Sequence, residues 1–388
     1  MADSACAQAV RVACMLGLHL EPPDTLPLRE REMRKRLWWA LYILDTKIGM
    51  KLGRPFLIYP CRASPSLPGD GFSVAMQSGS IFAPLGDDAT WLSFHLHQAK
   101  LFQVARQTHI AFYGNRVNVG DGRTIWDDVE ALESQASFLT SHVTALEQWR
   151  REVPIALTNR RAANSHPFAT DGTSLDIEAF APLWIQRQRL LLELVYHNLC
   201  ANLHRPFISF TNTPPLSTAA GAAANKCALH AAELTFIIHH VLSSTHILSG
   251  WYEVFQWQWN AAMTLLGFLF TYPRVESSEK ARSAIDQAVA VFDIFSQSFA
   301  VSASAARIAM VDAPPSLALT DLPLLNSVSG DNTMSAASVF DESVDFGGLL
   351  QMACDVEQFI DLGMLWPQNG GVNMDPWLGR NESTISVS

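Results

Sequence analysis

The sequence predicts an all-α, multi-helix domain followed by a largely disordered, acidic C-terminal tail. Apolar residues recur at three- and four-residue steps through most of the chain, and convincing alternating strands are absent. The 388 residues are 48% hydrophobic and only 16% charged, a composition that suits helices buried on more than one face. We therefore expect a helical domain over residues 1–311 and a low-complexity tail over residues 312–388.

The first two helices each show an apolar stripe. In the first, the stripe comprises Ala5, Ala9, Val12, Ala13 and Leu16, and Gly17 supplies a left-handed stop. In the second, predicted over about 29–51, it comprises Met33, Leu37, Leu41, Leu44 and Ile48. Because apolar residues also flank this second stripe, we expect its helix to be enclosed after a charged first turn.

The remaining helices follow a long Pro-, Gly- and Ser-rich connection over 60–88. The clearest amphipathic helix has a seam of Val129, Leu132, Ala136, Leu139, Val143 and Leu146. Thr124 and Asp127 resemble a capping box before it, and Pro154 bounds its far end. Apolar periodicity predicts the others over 91–113, 180–204, 218–243, 252–271 and 277–311.

The acidity of the chain lies in its tail. The formal net charge is -10, and residues 313–388 hold ten acidic side chains against a single basic one, Arg380. This balance argues against broad, sequence-independent binding to a phosphate backbone, which needs a field of Lys and Arg. Within the tail, residues 349–362 place Leu349, Ala353, Val356 and Ile360 at helical steps beside acids, so this stretch can fold when it meets a partner.

The chain lacks the motifs of common catalytic and metal sites. Its six cysteines include no C-x-x-C pair, and the sequence contains neither a G-x-S-x-G nucleophile motif nor a phosphate-binding glycine motif. His95 and His97 are two residues apart, which would point them to different sides of a helix and prevent shared metal ligation. We therefore expect no cofactor, no metal and no enzyme activity.

A basic cluster opens the second helix, and two adjacent tryptophans follow it. The cluster comprises Arg29, Arg31, Arg34, Lys35 and Arg36, interrupted by Glu30 and Glu32. A DNA-reading helix would need a free outer face, yet Trp38, Trp39 and Tyr42 immediately extend an apolar surface. A solvated first turn that leads into a buried helix explains the pattern better.

One enzyme class stays as an alternative because all-α terpenoid synthases hold magnesium and a diphosphate with helical carboxylates. Asp127, Asp128 and Glu133 would supply such ligands here. The full aspartate-rich motif wants a carboxylate at its fifth position, where Ala131 stands, and the companion stretch 225–233 has Leu229 in place of a hydroxyl ligand. Acids in a first helical turn are already favoured by the helix dipole, which is the simpler explanation.

Three segments together resemble the fungal-specific transcription factor domain, the middle homology region of fungal zinc-cluster regulators. They read AQAVRVACMLGLH (7–19), EREMRKRLWWALYILDTKIGMKLGRPFLI (30–58) and LVYHNLCANLHRPFI (194–208), and the resemblance is strongest over 5–58. The residues that carry it are Arg36, Leu37, Trp38, Trp39, Tyr42, Asp45, Gly53, Arg54 and Pro55. The resemblance implies that Arg54 and Pro55 turn the chain after the helix, and that Arg36 and Asp45 join a buried or half-buried polar network.

The sequence departs from the family pattern in two ways. Family members have acids shortly after the G-R-P turn, whereas here Cys61 and Arg62 follow it and the next acid is Asp70. Family members also generally carry an N-terminal six-cysteine zinc cluster and a dimerising coiled coil, whereas this sequence begins partway into the regulatory domain. We therefore expect no family zinc cluster in this chain and regard direct DNA binding by it as doubtful.

The function implied by the resemblance is a nuclear transcriptional regulator that acts through protein partners. Six bulky tail residues would enter a coactivator groove while neighbouring acids keep them solvated: Phe340, Phe346, Leu350, Phe359, Leu362 and Trp366. A full-length zinc-cluster regulator is the other expected partner, and an interaction-only module that titrates such a regulator is an alternative. A membrane partner is not expected, and the sequence leaves a small-molecule effector open.

Overall fold

A computed structural model of the chain describes residues 2–59, 64–80, 89–115, 117, 119, 124–178, 180–211, 213–299 and 301–311. These residues form ten α-helices: α1 (Ala2–Met15), α2 (Leu28–Leu52), α3 (Phe72–Met76), α4 (Ser93–Gly114), α5 (Val129–Glu152), α6 (Leu183–His204), α7 (Ala219–Ser244), α8 (Tyr252–Thr271), α9 (Glu276–Ser296) and α10 (Ser302–Val311). Two short strands, β1 (Arg160–Arg161) and β2 (Leu175–Asp176), pair antiparallel between α5 and α6. The all-α prediction is confirmed.

The described residues belong to the first of two compact units, which spans residues 1–341. Residues 312–388 lie outside the described part of the chain, so the boundary at 311 stays a prediction. Among the described residues, none of the helices combines the length and the apolar content that crossing a bilayer requires.

Helix α7 forms the centre of the core and packs against α5, α6, α8 and α9. Its buried surface is rich in small side chains, among them Ala220, Ala223, Ala224, Ala228, Ala231 and Ala232. Gly221 shows how closely the chain approaches this helix, because a Cβ there would lie 2.0 Å from the carbonyl oxygen of Pro215. Small residues thus let neighbouring segments pack directly on the α7 backbone.

Helix α5 follows the predicted seam closely. Leu132, Ala136, Leu139, Val143 and Leu146 are buried, whereas Val129 at the first turn is exposed. The predicted Thr124–Asp127 capping box forms, but it closes a short 3-10 turn over Ile125–Asp127. The α-helix itself is capped by Asp128, whose side chain accepts a hydrogen bond from the Ala131 amide at 3.0 Å.

The single helix predicted over 277–311 is wrong, because the structure divides it into α9 and α10. Helix α9 ends at Ser296, within the polar run Ser296, Gln297 and Ser298. The break turns Phe299 back onto the core, where its ring centroid lies 5.8 Å from that of Phe255. Phe299 thereby joins an aromatic group that also includes Phe295.

The predicted stripes of the first two helices are also mainly wrong about which face is covered. Met33, Leu37 and Leu44 are exposed, as are Val12 and Leu16. The residues that α2 buries are Glu32, Trp38, Trp39, Tyr42, Ile43, Asp45, Thr46 and Gly49. Polar groups occupy the covered face because specific partners satisfy them, which hydrophobic periodicity alone does not indicate.

Candidate functional site

Helices α1 and α2 lie side by side in opposite directions. Arg54, just beyond the end of α2, forms an ion pair with Asp3 in the first turn of α1. At the other end, the Arg34 guanidinium donates a hydrogen bond to the Leu16 carbonyl over 3.3 Å. The first two of the three segments that carry the family resemblance therefore form one antiparallel pair.

A buried ion pair joins α2 to α4. Asp45 on α2 and Arg106 on α4 are almost fully buried, and 3.0 Å separates the Arg106 Nη1 from the Asp45 Oδ2. The same carboxylate accepts hydrogen bonds from the Leu57 amide at 2.9 Å and the Ile58 amide at 3.0 Å. One side chain thus fixes two helices and the segment that follows α2.

Arg106 has its remaining surface covered by partners from α2 and the chain after it. Its guanidinium donates to the Thr46 hydroxyl at 3.2 Å and to the Ile58 carbonyl. It also lies 4.5 Å from the centroid of the Tyr42 ring and 4.1 Å from that of Phe56. Desolvated cation–π contacts of this kind add to the ion pair.

Both tryptophans of the pair are buried within this scaffold. Trp38 keeps 4% and Trp39 keeps 7% of its surface exposed. The Trp39 indole donates to the Ser66 carbonyl at 3.0 Å and packs edge-on against Tyr42. Trp38 lies beside the His19 ring in the turn after α1. The indoles therefore hold the connections around α2.

The turn after α2 depends on two glycines. Gly53 adopts φ +61°, the left-handed conformation that ends a helix, and the Arg54 amide bonds back to the Gly49 carbonyl at 3.0 Å. The Phe56 ring occupies the space beside Gly49, since a Cβ there would lie 2.6 Å from it. Pro55 is exposed in the extended segment that follows. Gly53 thus makes the turn that the resemblance implied for Arg54 and Pro55.

Arg36 is not the partner of Asp45. No hydrogen bond or ion pair joins these two residues in the described part of the chain, and the buried polar network implied for Asp45 forms with Arg106. Arg36 is half-buried, and burial lowers its pKa while the charge of Glu32 opposes that shift. Burial also lowers the pKa of His95, with a further contribution from Arg36.

The basic cluster at the start of α2 is largely paired. Arg31 pairs with Asp24, and Arg34 pairs with Glu30 at 3.2 Å. Lys35 lies 3.3 Å from Glu21 and 3.2 Å from the buried Glu32. The pairing supports the interpretation of a charged first turn, but the expected enclosure of the helix is wrong, because α2 buries only one face and exposes Leu37 and Leu44.

The acids proposed for the terpenoid-synthase alternative are bound to backbone amides and do not converge on one site. Asp127 accepts from Thr124, and Asp128 caps α5. The Glu133 carboxylate accepts from the Ala219 and Ala220 amides at 2.6 and 2.9 Å, at the start of α7. In the described residues, no three His, Cys, Asp or Glu side chains are grouped so that they could hold a metal ion.

A second buried charge network, which the sequence analysis missed, lies below the β1–β2 pair. Arg161 donates to Glu233 on α7 at 2.6 Å and to Glu193 on α6. Glu193 also accepts from the Asn159 side chain at 2.7 Å, and Glu233 accepts from the Gly172 amide at 2.8 Å. The signal in the sequence is a lone glutamate inside an apolar helix, because such a charge must be paired.

Two buried histidines, His197 and His204, and the half-buried His230 lie next to this network between α6 and α7. The Nδ1 atoms of His197 and His230 are 2.9 Å apart, and the His204 ring stacks near His230. The Nδ1 of His204 lies 2.8 Å from the Cys200 carbonyl. Burial lowers the pKa of His204 to about 4 and the pKa of His230 well below its ordinary value, so both are neutral at pH 7.

Residues 3–80, which contain α1, α2 and the turn after α2, match the family model of the fungal specific transcription factor domain. This match lies over the segment where the resemblance is strongest, and it confirms the resemblance found in the sequence. No solved structure matches the chain.

The similar proteins are fungal regulators. The chain is 42% identical over 344 residues to transcription factor asqA of Emericella nidulans, covering 87% of this chain and 61% of that protein. It is 35% identical over 301 residues to the terreic acid cluster-specific transcription factor atF of Aspergillus terreus, covering 74% of this chain and 45% of that protein. At 27% identity over 283 residues, it also matches the oosporein cluster regulator OpS3 of Beauveria bassiana, over 67% of this chain and 37% of that one. The chain thus spans less than two thirds of each of these relatives.

Replacing Asp45 with Asn should destabilise the fold severely. The change keeps the shape of the side chain but leaves the buried Arg106 charge without its anion, and breaking such pairs costs about 3–5 kcal/mol. Urea unfolding followed by circular dichroism measures this loss. Glu30→Gln is the matched control, because it breaks the more exposed pair with Arg34, worth about 0–1 kcal/mol. Equal, small losses for both variants would contradict the assignment.

The free energy of unfolding should decrease as the pH falls from 6.5 towards 4. The pKa of His204 is about 4 in the folded chain, below the ordinary value near 6.5, so the unfolded state binds the proton first. For this one group the loss between pH 7 and pH 5 is on the order of 2 kcal/mol. Urea unfolding at several pH values gives the slope.

His204→Gln should make that slope shallower, because the titrating group is removed while an amide can still donate to the Cys200 carbonyl. His166→Gln, at an exposed position, is the control and should leave the slope as it is. A slope unchanged by His204→Gln would show that the buried imidazole does not carry the effect.

Proposed function

We propose that this chain regulates transcription in the nucleus of a fungal cell and controls a specific set of genes. The match of residues 3–80 to the fungal specific transcription factor domain carries the proposal. Three similar proteins are named as a transcription factor or as the regulator of one gene cluster, and the similarity covers 67–87% of this chain. Control of a single biosynthetic gene cluster is the form of regulation that these names favour.

The helical domain would act as a binding scaffold in this function. Its motif residues are engaged in the Asp45–Arg106 network and in the α1–α2 pair, so their chemistry is used for architecture. The acids that a magnesium-dependent enzyme would need are bound to backbone amides instead. These contacts support a regulator over the terpenoid-synthase alternative.

The tail over residues 312–388 would recruit the transcription machinery. It lies outside the described residues, and its sequence interleaves acids with Phe340, Phe346, Leu350, Phe359, Leu362 and Trp366. Apolar side chains kept solvated by neighbouring acids can enter a groove of a basic coactivator. DNA contact would be supplied through a full-length zinc-cluster regulator as partner.

Deletion of the gene from its native host tests the regulatory proposal. RNA sequencing should show a contiguous group of genes whose transcript levels change relative to the wild-type strain. Reintroduction of the wild-type gene should restore them. A transcriptome that is unchanged under every growth condition in which the gene is expressed would refute the proposal.

Fusion of residues 312–388 to an unrelated DNA-binding domain tests the tail separately. A reporter gene should be activated above background, and replacing Phe346, Phe359 and Trp366 together with Ala should abolish this, because the anchors of the groove are lost. Replacing Ser383, Ser386 and Ser388 with Ala is the matched control, since it removes no bulky group. Expression without activation would exclude recruitment by the tail and favour the titrating module.

A further inference from the structure

Helices α1 and α2 expose two apolar stripes that the core does not cover. The α1 stripe comprises Ala5, Ala9, Val12 and Leu16, the last in the turn after the helix, and the α2 stripe comprises Met33, Leu37, Ala40 and Leu44. The five large side chains among them keep between 41% and 61% of their surface exposed. Contiguous apolar surface of this kind on a folded protein commonly marks an interaction site.

The two stripes lie on the same side of the antiparallel pair. On α1 the covered residues are Cys6, Val10 and Ala13, and each follows directly after a stripe residue. On α2 the residues facing α1 include Arg34, which bonds to the Leu16 carbonyl, and Trp38, which contacts His19.

Each of these α2 residues also follows directly after a stripe residue, Met33 or Leu37. In a pair of antiparallel right-handed helices, the residue just before each contact residue points to the same side of the pair on both helices. The stripes therefore border one shallow groove.

The spacing of both stripes suits a third helix. Successive positions are separated by four, three and four residues on α1 and again on α2. This is the repeat with which helices pack along a seam in coiled coils and helix-in-groove complexes. The groove thus presents paired rows at the spacing an amphipathic helix uses.

The charge around the groove defines the chemistry of the occupant. Helix α2 carries seven basic and three acidic side chains, and four of the basic ones are paired with acids: Arg31, Arg34, Lys35 and Lys47. Arg29 lies one turn before Met33, and Lys51 lies two turns after Leu44. Both are exposed, and neither forms an ion pair with another described residue.

A second copy of the same groove fits this pattern poorly. The α2 stripe has a cation at each end, so a second α2 would meet like charges whether it ran parallel or antiparallel. An occupant with acids at both ends matches the field in either direction.

We propose that the α1–α2 groove binds an amphipathic helix of another protein, with apolar residues at alternating four- and three-residue steps and with acidic residues at both ends. The inference goes beyond transcriptional regulation and holds whether or not this chain regulates genes. The inference rests on two features of the groove. The apolar rows supply the surface to be buried, and the cations at both ends of the α2 stripe favour an acidic partner.

Fluorescence anisotropy with the full 388-residue chain tests the proposal. The probe is a labelled synthetic helix of about 21 residues, three heptads, with Leu along one seam and Glu in its first and last turns. Saturable binding with a dissociation constant below about 100 µM is expected. A peptide with the same seam and Lys in place of each Glu should bind at least about tenfold more weakly, with the difference shrinking as salt is added.

The double variant Leu37→Gln and Leu44→Gln should weaken binding of the Glu peptide by about tenfold or more, because both leucines would be buried in the complex. Ile155→Gln is the matched control, since Ile155 is 85% exposed and lies in a short turn after α5. Thermal unfolding of each variant establishes that the fold is kept, as expected for exposed positions.

Three outcomes would overturn the proposal. The first is the absence of saturable binding below about 100 µM. The second is equal binding by the chain and by the double leucine variant. The third is a dimer, seen by light scattering, that the double leucine variant alone abolishes, because the groove would then belong to a second copy of this chain.

Discussion

The pairing of Asp45 with Arg106 is the interaction on which the N-terminal half of this domain depends. A charge removed from water is tolerated only when partners replace its hydration, and here the two opposite charges are paired with each other. The two Asp45 oxygens also accept hydrogen bonds from the Leu57 and Ile58 amides. The same carboxylate therefore holds both the segment after α2 and helix α4. The exposed ion pairs of the basic cluster contribute far less, because water competes for them.

The same solution appears a second time between α6 and α7. Arg161 lies between Glu193 and Glu233 with its side chain fully buried, and it ties the β1–β2 pair to both helices. In each case an arginine from a distant part of the chain pairs with buried carboxylates. These specific contacts fix how the helices lie against each other more closely than apolar packing alone would. The domain therefore combines an alanine-rich core centred on α7 with two buried charge networks, one of which includes Glu233 of α7 itself.

The sequence predicts the helical class and the seam of α5 well, because both follow from local periodicity. It does not predict which face of α1 or α2 is covered, since apolar residues such as Leu37 and Trp38 stand side by side and either row could face inward. The partner of Asp45 is equally hidden, because Arg106 lies 61 residues further along the chain and nothing local points to it. The apolar neighbours of Glu193 and Glu233 indicate that these two carboxylates are buried and paired. They do not indicate that Arg161 is the partner.

The packing of Phe56 over Gly49 restricts where this domain can change in length. The ring fits against a backbone without a Cβ, while the amides immediately after it are held by Asp45 of the same helix. The contacts fix the number of residues between Asp45 and the amides that it binds. An insertion or deletion between positions 45 and 58 would therefore break either the Phe56 packing or the hydrogen bonds to the amides. Relatives that keep this architecture should therefore align here without gaps, and their variation in length should fall elsewhere.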